Sequence, residues 1–335
     1  MRLRRADLGS PGIRRRRRGR GFGYLTPEGE PLKDRDTIER ITALAIPPAW
    51  RRVWISPHEN AHIQAVGVDD AGRKQYLYHG EWRRARDEEK HERVLALARK
   101  LPKLREAVQE DLGARGLKRE RVLAGALRMI DLGVFRTGGE SYADEHGTHG
   151  VATLLCEHVE LRDDCLVCDY PAKHGIQRKV RLPDEALVRL VRSLRRARSG
   201  EARLLAYRDR GGWHEVKADD INERLREIVG EGFTAKDLRT WNATVLAASA
   251  FAGLEKPSSE RGRKRTEKAV MTEVAEGLGN TPAVARRSYV DPRVITAYHE
   301  DRTIARATRR AGKAADPNEA RDIVERAVLR LLNGS

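Results

Sequence analysis

The stretch Leu278-Gly-Asn-Thr-Pro-Ala-Val-Ala-Arg-Arg-Ser-Tyr-Val-Asp-Pro292 decides how the chain is read. Asn280 or Thr281 can cap a helix, and Pro282 suits its first turn. The run Ala283 to Tyr289 holds no breaker, and Pro292 limits how far the helix continues. One tyrosine, Tyr289, closes the segment just after Arg286 and Arg287. A tyrosine so placed is ordinarily half buried with its hydroxyl hydrogen-bonded, so its meaning depends on the rest of the chain.

A chain of 335 residues is long enough for two domains. Its 66 Lys and Arg against 50 Asp and Glu leave a net charge of +16, which points to a polyanionic partner, most simply nucleic acid. Three cysteines, Cys156, Cys165 and Cys168, exclude a disulfide-built secreted scaffold and fit a reducing compartment. Cys165 and Cys168 form a C-x-x-C with no second pair, inside a segment that reads as a strand. His158 and His174 could complete a zinc set, but the spacing fits no common finger. No metal or cofactor is therefore expected. No run approaches the roughly 20 apolar residues of a membrane span, and the charged N-terminus lacks the apolar stretch of a secretory signal.

Outward from the tyrosine, the pattern changes twice. Residues 1–20, with the run Arg14 to Arg18, read as a disordered basic arm. Residues 21–85 read as a small β-rich domain: a helix at Thr37–Ala45, then strands at Val53–Ser56, His62–Val68 and Arg73–His79, with a turn at Asp69–Gly72. Residues 86–310 read as a larger, mainly helical domain. Helices are expected over Arg86–Lys100, Leu104–Leu112, Arg119–Leu132, Ala186–Arg198, Ala218–Val229 and Phe233–Phe251, the last with Thr234 as cap. A β section opens near Ala152–Cys156 and becomes a three-stranded meander from His158 to Leu182, and Arg203–Ala206 is a short strand. Lys256–Lys268 reads as a flexible loop. Residues 311–335 form a C-terminal helix, Pro317–Asn333, or tail. The fold class is α+β.

Within this frame several basic groups stand where structure alone does not call for them. Arg136 follows the end of an apolar helix, Lys173 sits at the second turn of the meander, Arg239 lies in Lys236-Asp-Leu-Arg-Thr-Trp241, and Arg286 and Arg287 precede Tyr289. Together they suit attack on a phosphodiester. Guanidinium groups match the nonbridging oxygens with permanently charged, bidentate donors. A lysine whose pKa is lowered by burial or positive neighbours can protonate a leaving oxygen. A tyrosine becomes a nucleophile when cations favour its phenolate.

These segments resemble those of type IB DNA topoisomerases, in particular the poxvirus-like and bacterial branch, over roughly residues 20–300. Leu132-Gly-Val-Phe-Arg-Thr-Gly-Gly-Glu-Ser-Tyr142 with Gly147-Thr-His-Gly-Val-Ala-Thr-Leu154 resembles the first-arginine motif. Tyr170-Pro-Ala-Lys-His-Gly175 resembles the hairpin lysine turn, and Lys236–Trp241 the second-arginine motif. Gly279-Asn-Thr-Pro with Arg286-Arg-Ser-Tyr289 resembles the nucleophile segment. The resemblance implies catalytic roles for Tyr289, Arg136, Lys173, Arg239 and Asn280, where poxvirus relatives carry histidine in place of the asparagine. It implies metal- and ATP-independent nicking and resealing of duplex DNA through a 3′-phosphotyrosyl link, by a monomer shaped as a C-shaped clamp and acting in the cytoplasm at the nucleoid. Lys74-Gln-Tyr-Leu-Tyr78 resembles the stretch that enters the major groove, which makes Gln75, Tyr76 and Tyr78 DNA-binding candidates, together with Tyr142 and Lys236. Alternation sets Gln75 on the opposite strand face from Tyr76 and Tyr78.

Two other readings share part of this pattern. Tyrosine recombinases use the same nucleophile, but typically carry His-x-x-Arg where this chain has Lys236-x-x-Arg239, and their N-terminal DNA-binding domain is usually helical. A noncatalytic DNA-binding protein of the same fold would not need the full set of catalytic residue types.

Overall fold

Five strands, β1 (Ile13–Arg18), β2 (Gly21–Leu25), β3 (Arg51–Ile55), β4 (Ile63–Val68) and β5 (Lys74–Tyr78), pair antiparallel in the order β2-β1-β3-β4-β5. Their register sets Ile13, Ile55, Ala65 and Leu77 side by side in one row. Residues directly opposite in a ladder project to the same face, and this row packs with Ile41 of helix α1 (Arg35–Ala43) into a small core of its own. Asp34 starts that helix by accepting from the Thr37 amide at 2.9 Å.

The computed structural model describes every residue except Met1, Val134, Ser141, Tyr142, Asp144, His146, Lys256 and Ser335, and describes only the backbone of His174. It is α+β and divides into two compact units, Met1–Lys90 and His91–Ser335.

The expected disordered arm is overturned, because Arg14 to Arg18 belong to β1. Ile13 fills the core row, and Arg15 on the same face donates to the carbonyls of Ile46 at 3.2 Å and Pro47 at 3.0 Å. Its guanidinium also lies 4.1 Å over the Phe22 ring. An arginine can thus hold an inward strand position when backbone oxygens surround it.

The second unit is built around helices. Four lead into and brace its core: α2 (Gly80–Ala98), α3 (Leu101–Gly113), α4 (Arg119–Gly133) and α5 (Glu185–Ala197). Next come α6 (Ala218–Val229), α7 (Ala235–Gly253), α8 (Glu260–Leu278) and α9 (Pro282–Ser288). The chain ends with α10 (Pro292–His299), α11 (Ala305–Ala311) and α12 (Pro317–Asn333). Strands β6 (Val159–Arg162), β7 (Cys165–Ala172) and β8 (Ile176–Leu182) form the meander, and β9 (Ala206–Asp209) pairs with β10 (Gly212–Glu215). Helix α7 is buried on nearly every side, and Asp237 closes its first turn by accepting from the Thr234 amide at 2.9 Å.

Three further expectations change. The loop read over residues 256–268 is, from Glu260 onward, the first half of α8. Ser259 caps that helix, its Oγ accepting from the Gly262 amide at 3.1 Å. Glu, Arg and Lys favour helix, and Val270, Met271, Val274 and Leu278 bury the face that holds it down. The region read as strand near Ala152–Cys156 forms two 3₁₀ turns, and the strand read at Arg203–Ala206 begins only at Ala206. An odd spacing puts Cys165 and Cys168 on opposite faces of β7. Both are buried free thiols, and burial pushes Cys168 up to about 12.

The C-terminal helix is part of the second unit's interior. Asp131 on α4 receives Arg105 at 3.0 Å and Arg321 at 2.6 Å, and Arg105 also reaches Glu325 at 2.7 Å. Asn242 on α7 donates to the Asp131 carbonyl at 2.8 Å and accepts from Arg321 at 3.1 Å. Four helices therefore meet at Asp131, α3 and α12 at its buried carboxylate and α7 at its main-chain carbonyl. Among the described residues no helix is long and apolar enough to cross a membrane.

Candidate active site

The C-terminus of α8 organises the site. The last carbonyls of a helix lack intrahelical partners and carry the negative end of its dipole. Here three consecutive ones each receive an arginine: Gly277 takes Arg178 at 2.6 Å, Leu278 takes Arg239, and Gly279 takes Arg136 at 3.2 Å. Gly279 ends the helix in the left-handed conformation, φ +59°, and the Asn280 amide turns back to the Ala275 carbonyl at 2.9 Å. That turn delivers the Asn280 Oδ1 to Arg136 at 2.6 Å. The guanidinium fixes which amide atom is oxygen, so Nδ2 is the remaining donor. It is buried and has no hydrogen-bond partner among the described residues.

Each arginine arrives on a different element. Arg239 is on the buried α7 and is 2% exposed, so its direction is set by packing. Arg178 points inward from β8 and donates also to the Gly133 carbonyl at 2.9 Å. Arg136 lies in the connection after α4, whose backbone is pinned by Val151 donating to the Arg136 carbonyl at 2.9 Å and Ala152 to that of Thr137 at 2.7 Å. This crossing needs Gly138 and Gly150. A Cβ on Gly150 would lie 2.4 Å from the Gly138 nitrogen.

Tyr289 caps α9, which Thr281 opens by accepting from the Val284 amide and Pro282 enters at the first position. Thr244 of α7 holds the segment from beneath: its hydroxyl donates to the Tyr289 carbonyl at 3.3 Å and accepts from the Asp291 amide at 3.1 Å. The half-buried ring faces Arg239, whose guanidinium carbon is 5.2 Å from the ring centroid. Burial raises the phenol pKa, but the charge and hydrogen bond of Arg239, with the charges of Arg136 and Lys236, outweigh it and leave the value below that of ordinary tyrosine. Burial lowers the Arg239 value, and the Arg136 charge lowers it further. Both guanidiniums keep their charge near neutrality.

Arg136, Lys173, Lys236, Arg239 and Tyr289 line one cavity of about 530 Å³. Lys173 and Lys236 are exposed at its wall. His149, not singled out in the sequence, also lines it and bonds the Thr153 carbonyl through Nδ1 at 2.6 Å. Arg178 was likewise missed. The available signal was its inward register with Val180 and Leu182 along β8. Arg286 turns away into an ion pair with Glu267 at 2.7 Å.

The other DNA-binding candidates belong to the first unit. Tyr76 and Tyr78 stack on one face of β5, centroids 6.0 Å apart, with the Lys74 ammonium 5.7 Å from the Tyr76 ring. Gln75 projects to the opposite face and donates to Asp69 at 2.9 Å. The irregularity in the β4–β5 ladder falls between Ile63 and Ala65 and does not turn Gln75 around. Tyr142 lies outside the described residues.

Comparison with known proteins agrees with this architecture. A family model described as eukaryotic DNA topoisomerase I, catalytic core, matches residues 79–314, and one described as bacterial DNA topoisomerase IB, N-terminal domain, matches residues 21–69. The chain belongs to the type IB DNA topoisomerase family of enzymes. It is 27% identical over 296 residues to DNA topoisomerase 1B of Acanthamoeba polyphaga mimivirus, covering 87% of this chain and 88% of that protein. It is 23% identical over 236 residues to DNA topoisomerase 1B of vaccinia virus, covering 69% and 70%. It is 28% identical to DNA topoisomerase 1 of Drosophila melanogaster over 182 residues, 52% of this chain but 18% of that longer protein.

Proposed function

We propose that the protein relaxes supercoiled duplex DNA by cutting and rejoining one strand through Tyr289. The reading is carried by the three arginines gathered at the end of α8 around one tyrosine whose phenol is held below its ordinary pKa. The Tyr289 oxygen, as a phenolate that has given its proton to solvent, attacks a backbone phosphorus, forming a 3′-phosphotyrosyl bond while the bond to the 5′-oxygen breaks. Arg136 and Arg239 stabilise the charge that gathers on the nonbridging oxygens. Lys173, assisted by Arg136, gives the departing 5′-oxygen its proton. The amide of Asn280 donates to a nonbridging oxygen without adding charge, a role its buried, unmatched Nδ2 supports. Strand rotation precedes attack by the 5′-hydroxyl, which restores the phosphodiester and frees Tyr289. Bond energy is retained in the phosphotyrosine, so the cycle needs no nucleotide and proceeds in a chelator.

The proposed form is a monomer working on the nucleoid, with Lys236 at the DNA-facing cavity and Tyr76 and Tyr78 presented to DNA by β5. Gln75 would have to leave Asp69 before it could read a base. The decisive measurement is plasmid relaxation in EDTA, together with covalent trapping on SDS quenching. Wild-type protein is expected to relax supercoils progressively and to be trapped, whereas Tyr289→Phe should bind DNA and show neither. Relaxation by the Phe variant would remove Tyr289 as nucleophile, and paired strand exchange without free relaxation would mark a recombinase.

A further inference from the structure

We infer that the β1–β2 hairpin is a DNA-backbone-binding ribbon acting through Arg14, Arg16 and Arg18, on the same face of the N-terminal sheet as Tyr76 and Tyr78. The inference rests on the reading of duplex DNA as substrate and adds an element to it.

Register places these residues. Arg14 pairs with Trp54, Trp54 with Val66, and Val66 with Tyr76. Directly paired residues share a face, so Arg14 and Tyr76 project to the same side, as do Arg16, Arg18, Lys74 and Tyr78 by the two-residue period. The opposite face carries the core row and the carbonyl-bonded Arg15. Arg14, Arg16 and Arg18 are exposed and make no side-chain hydrogen bond or ion pair with any described residue. Like charges at two-residue spacing repel one another, and an anion bound along the row relieves that repulsion.

The partner strand is cut to match. β2 reads Gly21-Phe-Gly-Tyr-Leu25, and Gly21 lies opposite Arg18 while Gly23 lies opposite Arg16. Phe22 and Tyr24, opposite Arg17 and Arg15, go to the other face. The open face of the ribbon is therefore guanidinium over bare glycine at Arg16 and Arg18, with Leu25 opposite Arg14, and at the glycines another backbone can approach closely. Beyond Arg14 the strand pairs with β2 alone, so the element projects as a two-stranded ribbon. A repeating row of planar, permanently charged forks beside glycine fits successive phosphates rather than base edges.

Equilibrium binding to short duplexes across a salt series, in the Tyr289→Phe background, tests this. Each phosphate contact contributes about 0.9 to the slope of log Kobs against log salt. R14Q/R16Q/R18Q should lower the slope by about 0.9 to 2.7 and weaken binding equally on duplexes of unrelated sequence. R14K/R16K/R18K should keep most of the slope, which separates lost charge from a damaged hairpin. R309Q/R310Q/R326Q removes equal charge from exposed positions elsewhere and should change the slope less. An unchanged slope in the glutamine variant, or an equal fall in the control, overturns the ribbon while leaving the topoisomerase reading intact. Failure of the parent protein to bind duplex DNA sinks both.

Discussion

Tyr289 is set for attack by neighbours that oppose its burial. Because the cations hold its phenol below the ordinary value of about 10, the single-turnover cleavage rate should climb with pH through an inflection below that value. Arg239→Gln removes the strongest of those cations and should move the inflection upward, besides lowering the plateau. The same inflection in both proteins would mean that the phenol is not what titrates. Lys173 has a separate signature. As general acid it contributes about 10²- to 10⁴-fold, so Lys173→Ala should slow cleavage by that order on an ordinary substrate. The slowing should be at least about tenfold smaller when the leaving group is a 5′-thiol, which needs little protonation. Equal slowing on both substrates removes Lys173 as the acid.

At the scale of elements, the end of α8 is a junction held by side chains from α7, β8 and the connection after α4. Arg178→Met would leave the buried carbonyl of Gly133 without its donor, at a cost of about 1–3 kcal/mol, and would release the carbonyl of Gly277 to solvent. The denaturant midpoint should fall accordingly and cleavage should slow with it, since Asn280 and Arg136 hang on the same turn. Full stability in this variant would remove Arg178 from the junction. Much of this was legible beforehand where local signals were strong. Pro317 marks the start of α12, Thr234 marks that of α7, and Thr281 with Pro282 opens α9. The motif resemblance singled out Arg136, Lys173, Arg239, Asn280 and Tyr289. What stayed hidden were places where charge does structural work. β1 has no apolar alternation because Arg15 occupies an inward position among carbonyls, and the first half of α8 looked like a linker because its apolar face starts only near Val270. Arg178 carries no motif, and only three-dimensional pairing brings it to Gly277.

At the scale of the second unit, Asp131 of α4 joins α3 and α12 through its carboxylate and α7 through its main-chain carbonyl. Burial raises its pKa, but Arg321 and Arg105 more than offset that and leave it lowered. A depressed carboxylate contributes stability that is present above the unfolded value of about 3.9 and is lost as pH falls through the folded value. Acid unfolding of the wild type should therefore extend below pH 3.9. Asp131→Asn leaves Arg105 and Arg321 to share the carboxylate of Glu325. Breaking a buried pair in this way costs about 3–5 kcal/mol near neutrality, readable as a lower denaturant midpoint, and the pH dependence below 3.9 should flatten. A variant as stable as wild type would show that the network contributes nothing net. The same junction has a consequence for heat. The penalty for stripping water from charged groups shrinks as temperature rises, while the gain per unit of buried apolar surface levels off. The grip of α12 on the helix bearing Arg239 should accordingly hold up better on warming than an apolar contact of the same size, and the cost of Asp131→Asn should grow between cool and warm assays.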